Sequence, residues 1–372
     1  MDLDQRLDAL QSRRLGVKKL QKSLDLASII EASQRSLLTE RYQQRTTNKA
    51  ARYVLGAMEE VSPNYTKISL EQGQRIGSQL ASRLPSNWNL EFALQGSVPL
   101  NVHIEGISDV DLLVVRTDYL DFDSRGPNAQ SAVGSDRSIA SVISELRSNS
   151  VEALKSAFPA ALVDVSGAKS VGVTGGSLQR DIDVVPSIWW HTPEYQKFAH
   201  REQRGITVLD IKTFYSIRNL PFYYIYQINQ KDKNSFGGAK KIIRLLKNLK
   251  ADATDKESIN LSSYDIASIV WHIDDGALIT TPSSEILLLA VAKQVLQHLR
   301  SNKSEAMRLQ TPDGLRTIVD SEEKFTGLQL LSLEVDRVAE EVAAEVNPLV
   351  KLYPSMSGDT VLNTLRKYEI AS

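Results

Sequence analysis

The stretch Leu94-Gln95-Gly96-Ser97, followed by Ser108-Asp109-Val110-Asp111-Leu112-Leu113-Val114-Val115, decides how the chain is read. The first piece has the pattern of a strand that turns at a Gly-Ser pair into a short helix. The second has the pattern of a further strand with two carboxylates at its start. Side chains alternate faces along a strand, so Asp109 and Asp111 share one face and Val110 takes the other. Adjacent carboxylates repel unless a cation is shared between them, and Mg2+ prefers one or two carboxylates together with substrate phosphates. Gln179-Arg180-Asp181-Ile182-Asp183-Val184-Val185-Pro186 again places acids on one face of a strand, with Asp181 or Asp183 as the third carboxylate. A Gly-Ser turn, an Asp-x-Asp strand and a distant acid together point to two-metal nucleotidyl transfer.

Each part has an ordinary alternative. A Gly-Ser pair is most often a tight turn with a helix cap; as a phosphate seat it would offer backbone N–H groups and the Ser97 hydroxyl. Two acids at a strand start are often simply solvated. Only the combination supplies metal ligands, a phosphate seat and a third acid at once.

Composition sets the frame. The 372 residues carry a net charge of −1, 42% hydrophobic and 24% charged residues, five histidines and no cysteine. This is the profile of an ordinary globular protein with room for two domains. Disulfides, thiolate zinc sites and cysteine nucleophiles are excluded. Balanced charge argues against a stably bound polynucleotide. No signal-like apolar run follows Met1, and no apolar stretch is long enough to span a membrane, so a cytoplasmic protein is expected.

Residues 3 to about 60 have helical spacing (Leu7, Leu10, Leu15, Leu20, Leu24, Leu26) and predict one or two long helices. Ser69–Leu84 predicts a helix capped by Ser69, and Leu90–Leu94 the first strand. A loop is expected between Asp118 and Asp136, a helix over Ser138–Phe158, and short strands over Leu162–Val165, Ser170–Val173 and Arg180–Val185. After Pro186 the pattern changes, and a long connection with little periodicity is expected from Thr192-Pro193 to Ser216. Helices follow over Phe222–Gln230, Gly238–Leu249, Tyr264–Ile273, Ser283–Ser301 and Leu328–Val346, with loops at Pro312–Gly314 and Pro354–Gly358. On Gly238–Leu249, Lys240, Arg244 and Lys247 fall on one stripe, which periodicity alone reads as a solvated face.

The Gly-Ser pair, the Asp-x-Asp strand and an Asp followed by Val-Val-Pro resemble the polymerase-β-type nucleotidyltransferase superfamily. More narrowly they resemble the bacterial cyclic GMP-AMP synthase-like enzymes of anti-phage signalling (CD-NTases, SMODS-type). In that family the last Asp directly precedes Val-Val-Pro, which selects Asp183 over Asp181. Lys240-Lys241-Ile242-Ile243-Arg244-Leu245-Leu246-Lys247 resembles the helix that supplies a lysine to the triphosphate. Leu261-Ser262-Ser263-Tyr264 resembles the Ser-Tyr pair whose serine touches phosphate and whose tyrosine can stack on a base. The chain departs from the family at Val98-Pro99, where an aromatic residue often follows Gly-Ser. It also lacks a zinc-binding insertion, which argues against sensing of double-stranded DNA.

The resemblance implies an α+β fold: a mixed-sheet palm over residues 61–190, a helical C-terminal domain over 191–372 and a helical brace over 1–60. It implies a synthase of cyclic di- or oligonucleotide messengers in CBASS-type defence, using NTPs with Mg2+ or Mn2+ and acting on a separate effector through its product. The implied metal ligands are Asp109, Asp111 and Asp183; the implied nucleotide contacts are Gln95, Gly96, Ser97, Lys247, Ser263 and Tyr264. Two rivals share the motifs: a transferase adding nucleotides to an RNA end or a protein, as toxin-like relatives do, and an inactive nucleotide-binding protein.

Overall fold

A computed structural model describes residues 1–14, 40–131, 133–352 and 357–370. The chain divides into two units, one of residues 1–61, 102–107 and 228–372, the other of residues 62–101 and 108–227.

The first unit begins with α1 (Leu3–Arg14), α2 (Arg41–Arg45) and α3 (Lys49–Met58). Leu7 and Leu10 are buried on α1 as the spacing predicts, while Leu15, Leu20, Leu24 and Leu26 lie outside the described residues. The helical run is not continuous to residue 60, because an extended Thr46 ends α2 and Asn48 starts α3. Arg13 donates to Asp252 (Nη2 to Oδ2, 2.8 Å) and to the Asn248 side chain (3.0 Å); the Tyr53 hydroxyl donates to the same Asp252 oxygen at 2.8 Å. Arg6 pairs with Glu334.

The second unit opens with α4 (Pro63–Ala81), which starts earlier than expected. Ser62 is the cap, its hydroxyl accepting from the Tyr65 N–H, and Pro63 takes the first helical position, where a missing N–H costs nothing. Ser69 is therefore an interior residue, bonded back to the Tyr65 carbonyl at 2.9 Å.

The sheet consists of β1 (Leu90–Gln95), β2 (Val110–Phe122), β3 (Ala161–Asp164), β4 (Val171–Gly175), β5 (Ile182–His191), β6 (Arg204–Asp210) and β7 (Tyr215–Asn219). Its order is β1-β2-β5-β4-β3, with β6 pairing β5 and β7 pairing β6. Among the described strands only β2 and β5 run parallel. Helix α5 (Ile139–Ala157), capped by Ser138, supplies part of the crossover between them. Alternation sorts the two faces. Val110, Leu112, Val114, Ile182 and Val184 pack with Ile76 and Leu80 of α4 and Leu146 and Leu154 of α5. Leu113, Val115 and Val185 join Trp189, Ile206 and Val208 in a separate cluster.

Three expectations are corrected here. Strand β2 runs through Asp118 to Phe122, with a register shift between Arg116 and Leu120, so the loop after it is shorter. Pro186 does not end its strand. β4 pairs β5 through Val184 and β6 takes over from Ser187, so the proline stands where that ladder already changes partner. The connection from Thr192 to Ser216 contains a short helix α6 (Pro193–Phe198), all of β6 and the start of β7, so the sheet extends past residue 190.

Helix α7 (Pro221–Asn234) runs from the second unit into the first. The first unit then continues with α8 (Gly238–Ala251), α9 (Ser263–Trp271), α10 (Leu287–Ser301), α11 (Glu322–Val346) and α12 (Ser357–Arg366). Helix α11 begins at Glu322 behind a Ser321 cap, earlier than Leu328, and α10 begins at Leu287 rather than Ser283. The Pro354–Gly358 loop falls largely outside the described residues, and α12 begins at Ser357. Among the described residues no helix is long and apolar enough to cross a membrane. The whole is an α+β fold.

Candidate active site

In the second unit, the site is built from strand register. Asp111 stands opposite Gln95 on β1 and opposite Asp183 on β5. Asp183 in turn faces Gly172 of β4, which faces Asp164 of β3. Partners in register share a face, so Gln95, Asp111, Asp183 and Asp164 form one row across the sheet, with Gly172 as a gap. The row lies on the face away from α4 and α5, because Val110, Leu112, Ile182 and Val184 occupy the other.

Gly96 meets this row from the end of β1. Its φ is +75°, and a Cβ there would stand 2.1 Å from Asp111 Oδ2. Glycine is thus required for both backbone conformation and space. The short helix expected after Gly-Ser is absent: residues 96–101 form successive turns, with the Asn101 N–H donating to the Val98 carbonyl at 3.0 Å. Any anion seat at Gly96 and Ser97 therefore rests on turn amides and the Ser97 hydroxyl, without a helix dipole.

Asp109 lies one residue before β2, and the Val110 N–H donates to the Asp181 carbonyl at 3.0 Å, tying the two acidic segments together. Asp109 is exposed by surface area, yet its carboxyl is pushed up to about 6, first by desolvation from the protein around it and then by Asp183 and Asp181. Desolvation also raises Asp183; a Ser170 hydrogen bond opposes it, and the charges of Asp164 and Asp181 add to it. Both carboxyls are thus held in a field that a cation would relieve. Asp181 precedes the strand and is exposed. Beside it the buried Arg180 stacks 3.7 Å from the Tyr65 ring centroid and donates to the Ser69 hydroxyl, at 3.2 Å.

The donors are hard oxygens, the class that suits Mg2+ or Mn2+. Among the described residues no three such side chains already converge as a closed metal cage. The acids form an open row along the sheet.

Lys247, Ser263 and Tyr264 lie in the first unit. The solvated stripe read from periodicity is corrected: Arg244 is 3% and Lys247 4% exposed. The Lys247 ammonium donates to the Val102 carbonyl at 2.7 Å, and Arg244 to the Met58 carbonyl at 2.6 Å. Lys240 pairs with Asp232, at 3.7 Å, and Lys241 with Glu285. The cap of α9 is Ser262, in a reciprocal box with Asp265; Ser263 is the exposed first helical residue, not the cap. The Tyr264 hydroxyl donates to Asp313 at 2.7 Å, with Arg316 4.7 Å from its ring centroid, and burial followed by the Asp313 charge raises its pKa.

Sequence reading missed Asp164, Ser170 and Gly172 as neighbours of Asp183. A period-2 pattern identifies a strand's faces, and no spacing in the chain identifies which strand lies beside it.

The family model described as the C-terminal helical domain of cGAS/DncV-like nucleotidyltransferases matches residues 226–333. The chain is 45% identical over 311 residues to the cyclic dinucleotide synthase CdnE of Yersinia aleksiciae, covering 83% of this chain and 81% of that one. It is 31% identical over 262 residues to a c-di-GMP synthase of Lachnospiraceae bacterium (strain RUG226), covering 64% and 74%. Among solved structures, the STING-associated CdnE c-di-GMP synthase of Capnocytophaga granulosa superposes with a TM-score of 0.66 at 27% identity, over 91% of this chain and 97% of that one.

Proposed function

The chain belongs to the cGAS/DncV-like nucleotidyltransferases, the CD-NTases, and from that premise we propose that it joins two ribonucleoside triphosphates into a cyclic dinucleotide messenger for anti-phage signalling in the cytoplasm. The observation that carries the site assignment is the register of Asp111 with Asp183, with Gly96 against Asp111. In each of two transfers a ribose hydroxyl oxygen bonds to an α-phosphorus, the bond from that phosphorus to the bridging oxygen of pyrophosphate breaks, and the hydroxyl proton leaves to solvent. Asp109, Asp111 and Asp183 would hold Mg2+ or Mn2+, which when bound supplies charge neutralisation at the phosphates and lowers the pKa of the attacking hydroxyl. Asp183 is assigned over Asp181 because it lies within the ladder, beside Asp111. Gln95, Gly96 and Ser97 line the triphosphate path, the Ser97 hydroxyl and turn amides donating to phosphate oxygens. Lys247 exchanges the Val102 carbonyl for a phosphate oxygen, Ser263 donates from its exposed hydroxyl, and Tyr264 offers its ring to a base. The product acts on a separate effector.

The test incubates the purified chain with labelled ATP, GTP, CTP and UTP and Mg2+, without polynucleotide, beside an Asp109→Ala/Asp111→Ala variant. A phosphatase-resistant dinucleotide, identified by mass spectrometry and absent from the variant, is expected. In a parallel reaction supplied with total RNA, label transferred to the RNA with no small product in either reaction would overturn the proposal.

A further inference from the structure

Tyr264, on the first turn of α9, is held from outside its own helix. Its hydroxyl donates to Asp313 Oδ2 at 2.7 Å, and the Arg316 guanidinium carbon lies over its ring, 4.7 Å from the centroid. Both partners belong to one tight turn, residues 311–316, closed by antiparallel pairing of Gln310 with Thr317. The His272 Nε2–H donates to the Gln310 carbonyl at 2.7 Å. The hairpin is thus tied to the start of α9 through Tyr264 and to its C-cap through His272.

The turn is bonded so that both partners stay in place. Thr311, 3% exposed, donates from its hydroxyl to Asp313 Oδ1 at 2.5 Å, and the Leu315 N–H donates to the same oxygen at 3.2 Å. The Thr311 N–H donates to the Arg316 carbonyl at 2.8 Å, and the Arg316 N–H returns to the Thr311 hydroxyl at 3.2 Å. Gly314, at φ +70°, lets the chain reverse between them. Asp313 therefore has one oxygen fixed by its own turn and the other given to Tyr264. Gly314, Leu315 and Arg316 all stay exposed, so the tip of the turn fills no core. What its bonds fix is the orientation of one half-buried tyrosine and of the cation above it. A guanidinium over an aromatic face is planar, and its outer face can take a second flat group.

We propose that Arg316 is a base-binding residue of the nucleotide site: its guanidinium, stacked on Tyr264, is the surface that a nucleobase meets, and Asp313 is the positioning residue that holds the tyrosine beneath it. The inference rests on the reading of Tyr264 as a base contact. A platform whose layers are fixed before the ligand arrives loses little side-chain freedom on binding. Removing one stacking partner of a base typically weakens binding by about tenfold.

The experiment uses the full chain with Arg316→Ala, Arg316→Lys, Asp313→Ala and Tyr264→Ala, each checked by thermal melting. Calorimetry in Mg2+ measures binding of a non-hydrolysable analogue of each of the four NTPs, and of inorganic tripolyphosphate as a ligand without a base. Arg316→Ala is expected to weaken binding of the NTP analogues that the parent takes by about tenfold, with tripolyphosphate binding and the melting temperature unchanged. Arg316→Lys, which keeps the charge and loses the plane, should not restore them. Asp313→Ala should shift NTP binding in the same direction, by about threefold, and again spare tripolyphosphate. Equal losses for NTP and tripolyphosphate in Arg316→Ala, or full rescue by lysine, would overturn the stacked platform. Parent-like NTP binding in Arg316→Ala, beside weakened binding in Tyr264→Ala, would overturn it too and leave the tyrosine as a base contact. Parent-like NTP binding in Tyr264→Ala, or a parent that binds no NTP analogue, would overturn the reading of Tyr264 itself, and the inference with it.

Discussion

The α-carbon of Gly96 faces the carboxylate of Asp111 so closely that no side chain fits between them: a Cβ would lie 2.1 Å from Oδ2 and 3.1 Å from Cγ. The turn proposed to seat phosphate and the acid proposed to hold metal are thus packed directly against each other.

Gly96→Ala should therefore damage activity more than stability. The left-handed φ of +75° and the clash together cost about 1–3 kcal/mol, which the sheet can absorb, but relief requires Asp111 to move. A loss of about a hundredfold in product formation is expected, with a melting transition that remains cooperative. Activity near that of the parent would contradict the close approach.

The two candidates for the third acid separate by substitution. Asp183→Asn should abolish pyrophosphate release to about a hundredth of the parent rate or less, whereas Asp181→Asn, outside the ladder, should change it by no more than about threefold. The reverse ranking would transfer the assignment to Asp181.

Lys247 offers a split between binding and folding. Lys247→Met keeps the stem and removes the ammonium now on the Val102 carbonyl. The expected result is a rise of about tenfold in KM for NTP with the fold retained, since a charge-assisted phosphate contact contributes about 1.5–3 kcal/mol. A lowered melting temperature with unchanged KM would make Lys247 a structural tie only.

Acid should destabilise the sheet unit in two separate windows. Burial, with Arg204 alongside, pushes His191 from 6.5 down to about 4, so between these values the unfolded chain binds a proton that the folded chain refuses, and stability falls as pH falls. His191→Phe, which keeps the ring beside Phe122 and Tyr195, should flatten that slope. The Arg125 side chain holds Asp123 down at about 2, so its contribution is complete above about 3.8 and disappears as pH drops through 2. Urea midpoints measured from pH 7 to pH 2 check both; an unaltered slope in His191→Phe would rule out the first.

What the sequence showed was whatever a single strand or helix writes into its own spacing. Alternation in β2 separated Asp111 from Val110 and Leu112, and the apolar stripe located α5 to within a residue at each end. Strands β6 and β7 went unread because β6 is a short buried run without alternation and β7 an exposed edge strand. Pro63 and Pro186 were legible as punctuation, but one opens a helix and the other sits within a strand at a change of partner. The acidic row itself was half visible: Asp111 and Asp183, like Asp109 just before the row, carry their chemistry in sequence, while the register joining Asp111 and Asp183 to Gln95, Gly172 and Asp164 is a property of pairing. The burial of Lys247 was hidden for a similar reason, because a cation donating to a distant carbonyl has the same periodicity as one in water.

The first unit draws on both ends of the chain, residues 1–61 and 228–372, whereas the sheet unit lies between them. During translation the sheet residues emerge and can pair while α1 still lacks its partners: Arg13 waits for Asp252 and Arg6 for Glu334. Helix α1, Leu-Asp-Gln-Arg-Leu-Asp-Ala-Leu-Gln-Ser-Arg-Arg, is charged enough to stay in water through that delay. The helix that carries Lys247 likewise belongs to the half of the chain that is completed late.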